Sequence, residues 1–152
     1  MVNISKLEEV RARIVEYSEN FNYEFIVARR DQTTYDPRSD HKRLEDLLKH
    51  GCNTCGCVAG FTVCDLPPSD EWKDALQQAT ILLKLTWDER KFLFQGRQPK
   101  ALKEEVKYLA DYDYPENFSI EDCTQKEGMI EALKRIDFIL DHYRNLPDDL
   151  AS

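Results

Sequence analysis

Apolar residues recur every three or four positions along most of the chain, which is the spacing of one face of an α-helix. The first such run contains Leu7, Val10, Ile14 and Tyr17. Ser5 and Glu8 stand three residues apart at its start, which is the spacing of a capping box that satisfies the exposed amides of a helix start. The pattern therefore predicts a first helix that begins near Ser5 and ends near Asn20.

The next part of the chain departs from helical spacing. Residues 23–28, YEFIVA, are rich in β-branched and aromatic types and predict one short extended segment. After a polar loop, Asp36 and Pro37 have the order of a helix cap followed by proline in the first turn. Gly51 is placed to end that second helix.

The remaining two thirds again favour helices. Further helix starts are predicted at Thr54, at Ser69, and at the capping boxes Thr86–Glu89 and Thr124–Glu127. A helix between the last two boxes is marked by Leu102, Val106 and Leu109. The sequence predicts a mainly α, single compact domain of about six or seven helices over residues 1–146, with a flexible tail at 147–152.

Charge is distributed unevenly along the 152 residues. The formal net charge is −8, and residues 101–152 carry 6 basic and 13 acidic side chains, so that −7 lies in the last third. This balance disfavours general attraction to nucleic acid or to an anionic membrane. No apolar run is long enough for a membrane helix, and the N-terminus lacks a signal-peptide pattern, so we expect a soluble, cytoplasmic protein.

Four of the five cysteines lie between residues 52 and 64, in HGCNTCGCVAGFTVC, which starts at His50. One hypothesis is a zinc-stabilised accessory domain, with ligands drawn from Cys52, Cys55, Cys57, Cys64 and His50. The second separated ligand pair typical of structural zinc sites is missing, so we expect no cofactor, with zinc as the alternative. A redox-active Cys52–Cys55 pair lacks the expected βαβ context.

A third interpretation is that the cysteines pack as small buried apolar residues. In it, Thr54 caps a helix, while Cys57, Ala59 and Gly60 allow a neighbouring helix to approach closely. These four residues form the predicted structural motif.

The stretch from Cys52 to Gly60 resembles a core motif, C-G-T-x-x-C-x-A-G, of uncharacterised small helical proteins of bacteria and bacteriophages. Asn53 replaces the usual glycine, and Cys55 falls at a variable position of the motif. Leu82–Thr86 with Leu93-Phe94, and Phe21–Tyr23, resemble two further blocks of that family. The resemblance implies a helical scaffold and a phage or mobile-element setting, and it brings no assigned activity.

Residues 79–97 also have the order of a helix-turn-helix, so a DNA-binding protein of that kind is a further alternative. The acidic Asp88 and Glu89 and the apolar residues 92–94 disfavour this reading, and direct nucleic-acid binding is not expected. No catalytic motif is visible, so we expect no enzymatic activity.

The acidic last third suggests the leading hypothesis, which is a non-enzymatic protein-interaction or regulatory module. Its C-terminal helical face would present spaced carboxylates to a basic partner protein. In one form of the hypothesis the partner binds nucleic acid, and the carboxylates imitate a phosphate backbone. The predicted binding residues are Asp111, Asp113, Glu116, Glu127, Glu131, Asp137 and Asp141.

Overall fold

The computed structural model describes residues 1–21, 27–29, 54–63, 75–100 and 102–146. The described part is mainly helical, as predicted. Its α-helices are α1 (Ile4–Glu16), α2 (Val58–Val63), α3 (Ala75–Leu83), α4 (Trp87–Phe94) and α5 (Gln125–Arg144). Two 3₁₀ helices cover Ser18–Asn20 and Glu104–Asp111, and the strands β1 (Val27–Arg29) and β2 (Thr54–Gly56) form an antiparallel pair.

The cap of helix α1 lies two residues before the cap that the Ser5–Glu8 pattern predicts. Asn3 is the cap, and its side-chain oxygen accepts from the Lys6 N–H at 3.1 Å. The same residue is held against the end of α3, because its backbone N–H donates to the Leu83 carbonyl at 2.9 Å. The predicted Ser5–Glu8 box is therefore wrong: a tertiary contact fixes the start of the helix at Ile4.

The other two capping boxes are confirmed. The hydroxyls of Thr86 and Thr124 accept from the N–H groups of Glu89 and Glu127, and each glutamate accepts from the N–H of its threonine. These boxes begin α4 and α5. The helix predicted around Val106 forms as the second 3₁₀ helix.

The helix predicted to begin at Thr54 does not begin there. Residues 54–56 form β2, whose Cys55 pairs with Ala28 of β1, and α2 starts only at Val58. The pairing with β1 supplies the backbone hydrogen bonds that a helix would otherwise make. Strand β1 overlaps the predicted extended segment 23–28, of which residues 23–26 lie outside the described ranges, as do the helix predicted after Asp36 and the tail at 147–152.

The core lies where α1 meets α2, α3 and α5. Helix α2 is buried along its whole length, including Ala59 and Gly60, and Cys57 just before it is also buried. The largest apolar side chains with almost no exposure are Phe21, Phe61, Phe92, Leu7, Ile14, Leu83, Leu93, Leu109, Ile136, Ile139 and Leu140. Helix α5 thus places one face in this core, and two charged residues share that face.

Candidate functional site

Glu89 is a fully buried acidic residue at the start of α4. Its Oε2 accepts hydrogen bonds from the hydroxyls of Tyr108 and Tyr143, both at 2.6 Å. Its Oε1 accepts from the backbone N–H of Thr86 at 3.0 Å. One carboxylate therefore ties the start of α4 to the second 3₁₀ helix and to the last turn of α5.

The two tyrosines donate to Glu89 as neutral hydroxyls. Burial, reinforced by the nearby charge of Glu89 and the hydrogen bonds to it, raises the pKa of both Tyr108 and Tyr143 well above the ordinary value of a phenol. Both hydroxyls therefore stay protonated at neutral pH. This makes them permanent hydrogen-bond donors and unsuitable as general bases.

His142 lies flat against this cluster. Its ring stacks on Tyr108 with the ring centroids 3.6 Å apart and the planes inclined by 2°. Burial lowers the pKa of His142 below its ordinary value, and the charge of Glu89 opposes that shift only in part. The neutral imidazole is consequently favoured in the folded protein.

We expect the imidazole of His142 to titrate in the folded protein with a midpoint below 6.5. Because the folded pKa is depressed, the unfolded state binds more protons as the pH falls. The contribution of this residue to stability is therefore fully present above about pH 6.5 and is lost as the pH falls through the folded midpoint.

Imidazole proton NMR titration checks the midpoint, and the signal that disappears in His142→Phe identifies the residue. This variant keeps an aromatic ring beside Tyr108 but cannot protonate. Urea unfolding of both proteins on either side of about pH 6 should therefore show a smaller pH dependence for the variant. A midpoint at or above 6.5 would contradict the burial argument.

The second polar centre is a buried ion pair on α5. Arg135 and Glu131 lie one turn apart, with side chains 1% and 8% exposed and with Nε donating to the carboxylate at 2.7 Å. The same carboxylate oxygen accepts from the Tyr112 hydroxyl at 2.6 Å. Burial, together with Glu131, raises the pKa of Tyr112, so this hydroxyl also remains a donor.

Arg135 also joins α5 to the segment that follows α4. Its Nη1 donates to the backbone carbonyls of Phe92 at 2.8 Å and Arg97 at 3.0 Å. Between them, Gly96 takes a left-handed conformation with φ 61°, which a residue with a Cβ adopts only at a cost. This turn brings the Arg97 carbonyl to the guanidinium.

Aromatic rings surround the guanidinium. Its central carbon lies 4.7 Å from the centroid of the Phe92 ring, 5.2 Å from that of Tyr112 and 5.3 Å from that of Tyr114. Phe118 completes the group at 5.9 Å. Such contacts favour a cation over a ring face and hold the plane of the guanidinium in one orientation.

A cavity of about 650 Å³ opens beside Arg135. Its lining consists of residues 95–98, residues 114–115 and 117–121, and Arg135 of α5. The volume falls in the range of small-ligand sites. Burial raises the pKa of Tyr114, one of the lining residues, to about 12, and the charge of Arg135 opposes that shift.

One wall of the cavity belongs to a segment with an unusual charge pattern. Residues 108–125, which we call the acidic segment, contain five acidic and no basic side chains. All five acidic side chains are exposed: Asp111, Asp113, Glu116, Glu121 and Asp122. In the part of the chain that the structure describes, none of the five forms an ion pair.

The remaining predicted binding residues are dispersed. Glu131 is buried against Arg135, so it cannot belong to an exposed acidic face. Asp137 is half-exposed and accepts from Arg11 of α1 at 2.5 Å, while Glu127 is engaged in its capping box. Asp141 is exposed on the last turns of α5. Asp111, Asp113 and Glu116 thus lie exposed in the acidic segment, whereas the other four residues belong to α5.

The predicted metal ligands are only partly described. His50, Cys52 and Cys64 lie outside the described residues, and Cys55 belongs to β2. Cys57 is buried. Within the described ranges, no group of three or more His, Cys, Asp or Glu side chains is placed to hold a metal ion.

The predicted helix pair is present, with α3 and α4 joined by residues 84–86. Its second helix buries Phe92, Leu93 and Phe94. On the exposed side, Arg90 and Lys91 lie over the Trp87 ring, 4.9 and 5.6 Å from its centroid. The basic groups of α4 therefore cover a neighbouring ring, and this arrangement does not favour the DNA-binding alternative.

The buried polar residues Glu89 and Arg135 were not among the sites predicted from sequence. Glu131 and Arg135 stand one turn apart, and Arg135 stands one turn before Ile139 on the face that α5 buries. A charged pair of opposite sign at this spacing, inside an otherwise apolar stripe, was the available signal. For Glu89, the capping-box spacing gave no indication of burial.

Comparison of the chain with protein-family models, with curated protein sequences and with solved structures returned no match. Among the described residues, no helix combines the length and apolar character needed to cross a membrane. The case for a function therefore rests on the geometry of the acidic segment and the cavity.

Proposed function

We propose that the protein is a non-enzymatic interaction module that presents its acidic segment to a basic partner protein. The observation that carries the proposal is the alternation of residues 111–114, Asp-Tyr-Asp-Tyr. Tyr112 is buried and Tyr114 half-buried, whereas Asp111 and Asp113 are exposed. The tyrosines thus anchor the backbone, and the carboxylates project from it.

The anchors are specific contacts. The Tyr112 hydroxyl donates to Glu131, and the Tyr114 hydroxyl donates to the Leu109 carbonyl at 2.7 Å. Both rings meet Phe92 edge to face, with centroid distances of 5.0 and 6.0 Å. A charged surface held in this way loses little conformational entropy when a partner binds, which favours affinity.

The charge pattern favours a basic partner. Five exposed carboxylates with no basic side chain between them create a local negative field. This field attracts a positively charged surface and speeds association. Spaced negative charges also resemble a phosphate backbone, so a nucleic-acid-binding protein is the partner class that we propose. The resemblance to bacterial and bacteriophage proteins supports a setting in the bacterial cytoplasm, such as that of a phage host.

The test is capture with immobilised protein from a bacterial lysate, comparing the wild type with the triple variant Asp111→Asn, Asp113→Asn, Glu116→Gln. We expect a basic protein to be retained by the wild type at low salt and lost from the variant. Retention should also fall when salt rises from about 50 to about 300 mM, because exposed charges are screened over shorter distances.

The matched control is Glu8→Gln, Glu9→Gln, Glu16→Gln, which removes the same number of exposed charges from α1. It should retain the partner nearly as well as the wild type. If both triple variants retain the partner as well as the wild type does, the acidic segment has no role in binding. If both lose the partner equally, binding depends on the net charge of the protein and not on the acidic segment. Direct titration of the identified partner then measures the difference in Kd.

A further inference from the structure

The cavity beside Arg135 is bordered by part of the acidic segment, but the three carboxylates that test the proposed function, Asp111, Asp113 and Glu116, do not line it. We infer that it is a binding site for a small monocarboxylate with an apolar or aromatic body. The inference rests on the unused donors of a fixed, buried guanidinium, on the aromatic walls, and on the balance of charge around the cavity.

The donors can be counted. A guanidinium has five N–H groups, one on Nε and two on each terminal nitrogen. Nε donates to Glu131, and Nη1 donates to the carbonyls of Phe92 and Arg97. Within the described residues, the hydrogen bonds to Glu131, Phe92 and Arg97 leave the two N–H groups of Nη2 uncommitted, although the Tyr112 hydroxyl also lies close to the guanidinium, and Arg135 lines the cavity. A carboxylate oxygen in the cavity would satisfy this nitrogen.

The guanidinium is already organised for such a contact. Its side chain is 1% exposed, and the three hydrogen bonds and the surrounding rings hold its plane. A ligand therefore need not order a mobile side chain or strip much water from the cation, which are the usual costs of binding to arginine. Arg97, which also lines the cavity and is exposed, adds a second positive charge.

The walls favour a ligand with an apolar body. Tyr114 and Phe118 line the cavity, and their ring centroids lie 5.3 and 5.9 Å from the guanidinium carbon of Arg135. Pro115 and Ile120 add aliphatic surface. A ring that enters beside these side chains would bury apolar area while its carboxylate reaches Nη2.

The charge balance limits the ligand to a single negative charge. The negative charge of Glu131 neutralises the positive charge of Arg135. Glu121 and Arg97 both line the cavity, and their charges also cancel. The rest of the acidic segment adds further negative charge nearby. A phosphate or a dicarboxylate would bring excess negative charge into this field, whereas a monocarboxylate would not.

The experiment is a titration of the ¹⁵N-labelled chain with sodium benzoate, followed by amide and arginine side-chain NMR signals. We expect saturable shifts confined to residues 95–98 and 114–121 and to the Arg135 Nε–H, with a Kd of about 1 mM or tighter, as befits so small a ligand. Inorganic phosphate, succinate and phenylalanine are titrated in parallel. The first two should bind at least about tenfold more weakly, and phenylalanine shows whether an ammonium group beside Glu121 is tolerated.

Two variants locate the site. Arg135→Lys keeps the charge but removes the planar fork, and we expect at least about a tenfold weaker Kd for benzoate. Should that variant fail to fold, Gln98→Trp, at an exposed position of the cavity wall, should block benzoate binding while leaving the unfolding midpoint unchanged.

A matched pair of arginine variants tests the second charge. Arg97→Gln removes the charge on the cavity wall, whereas Arg144→Gln removes an exposed charge from the last turn of α5, outside the lining. We expect about a threefold or larger loss of affinity for the first and none for the second. Absence of saturable shifts up to about 20 mM benzoate, shifts elsewhere in the chain, or equal binding of phosphate would overturn the inference.

Discussion

Glu89→Ala is expected to lower the free energy of unfolding by about 3–5 kcal/mol. The substitution removes a fully buried group that accepts three hydrogen bonds. The hydroxyls of Tyr108 and Tyr143 would then lie in the core without an acceptor, and a void would replace the side chain. Urea unfolding followed by circular dichroism measures the change.

The chain contains a matched control for this prediction. Glu127 occupies the same position of an equivalent capping box at the start of α5, but it is exposed and has no tyrosine donors among the described residues. Glu127→Ala should cost much less, because it removes only an exposed member of a capping box. Comparable losses from the two variants would mean that the Tyr108 and Tyr143 contacts contribute little.

Arg135→Met is expected to cost about 3–5 kcal/mol, because it leaves the buried carboxylate of Glu131 without its cation. The carbonyls of Phe92 and Arg97 lose their donor in the same substitution. Methionine keeps much of the side-chain volume, so the loss reports on charge and hydrogen bonding more than on a cavity. Urea unfolding again gives the free energy, provided that the slope of its dependence on urea is unchanged.

The Arg11–Asp137 pair provides the comparison, since its side chains are 39% and 44% exposed. Arg11→Met should cost no more than about 1 kcal/mol, because solvent screens an exposed pair. A double variant, Arg135→Met with Glu131→Gln, should be less destabilised than the sum of its single variants. Strict additivity would show that the buried pair is not energetically coupled.

Several local elements could be predicted because their cause is local. The boxes at Thr86 and Thr124 need only residues three positions apart, and the structure forms both. The stripe of apolar residues in α5 likewise predicts a long final helix. In contrast, Asn3 caps α1 because it also contacts the end of α3, about 80 residues away, and no local pattern contains that contact.

Strand β2 shows the same limit at the cysteine motif. Thr54 has the chemistry of a helix cap, but its segment pairs with residues 27–29, and the partner strand decides the conformation. Sequence spacing could not supply this pairing, because β-structure depends on neighbours that are distant in the chain. The zinc alternative for the cysteines and the flexible tail at 147–152 remain predictions.

The candidate site was predictable in its composition and not in its arrangement. Residue counts located the excess of negative charge in the last third, and Asp111, Asp113 and Glu116 are exposed there. Counting charges could not reveal that Glu131 is buried, since an isolated sequence does not show which cation comes within reach of a carboxylate in the core.

The sequence by itself determined the mainly helical class, the starts of α4 and α5, and the acidic character of residues 108–125, because each depends on neighbours within about one or two helical turns. Only the tertiary structure decided which charges are displayed and which are buried. Arg135 meets the carbonyls of Phe92 and Arg97 about 40 residues away, and Glu89 meets Tyr143 across 54 residues. Burial removes water as a competing partner, so these long-range contacts turn ordinary charged residues into two fixed polar centres, and one of them lies on the lining of a cavity.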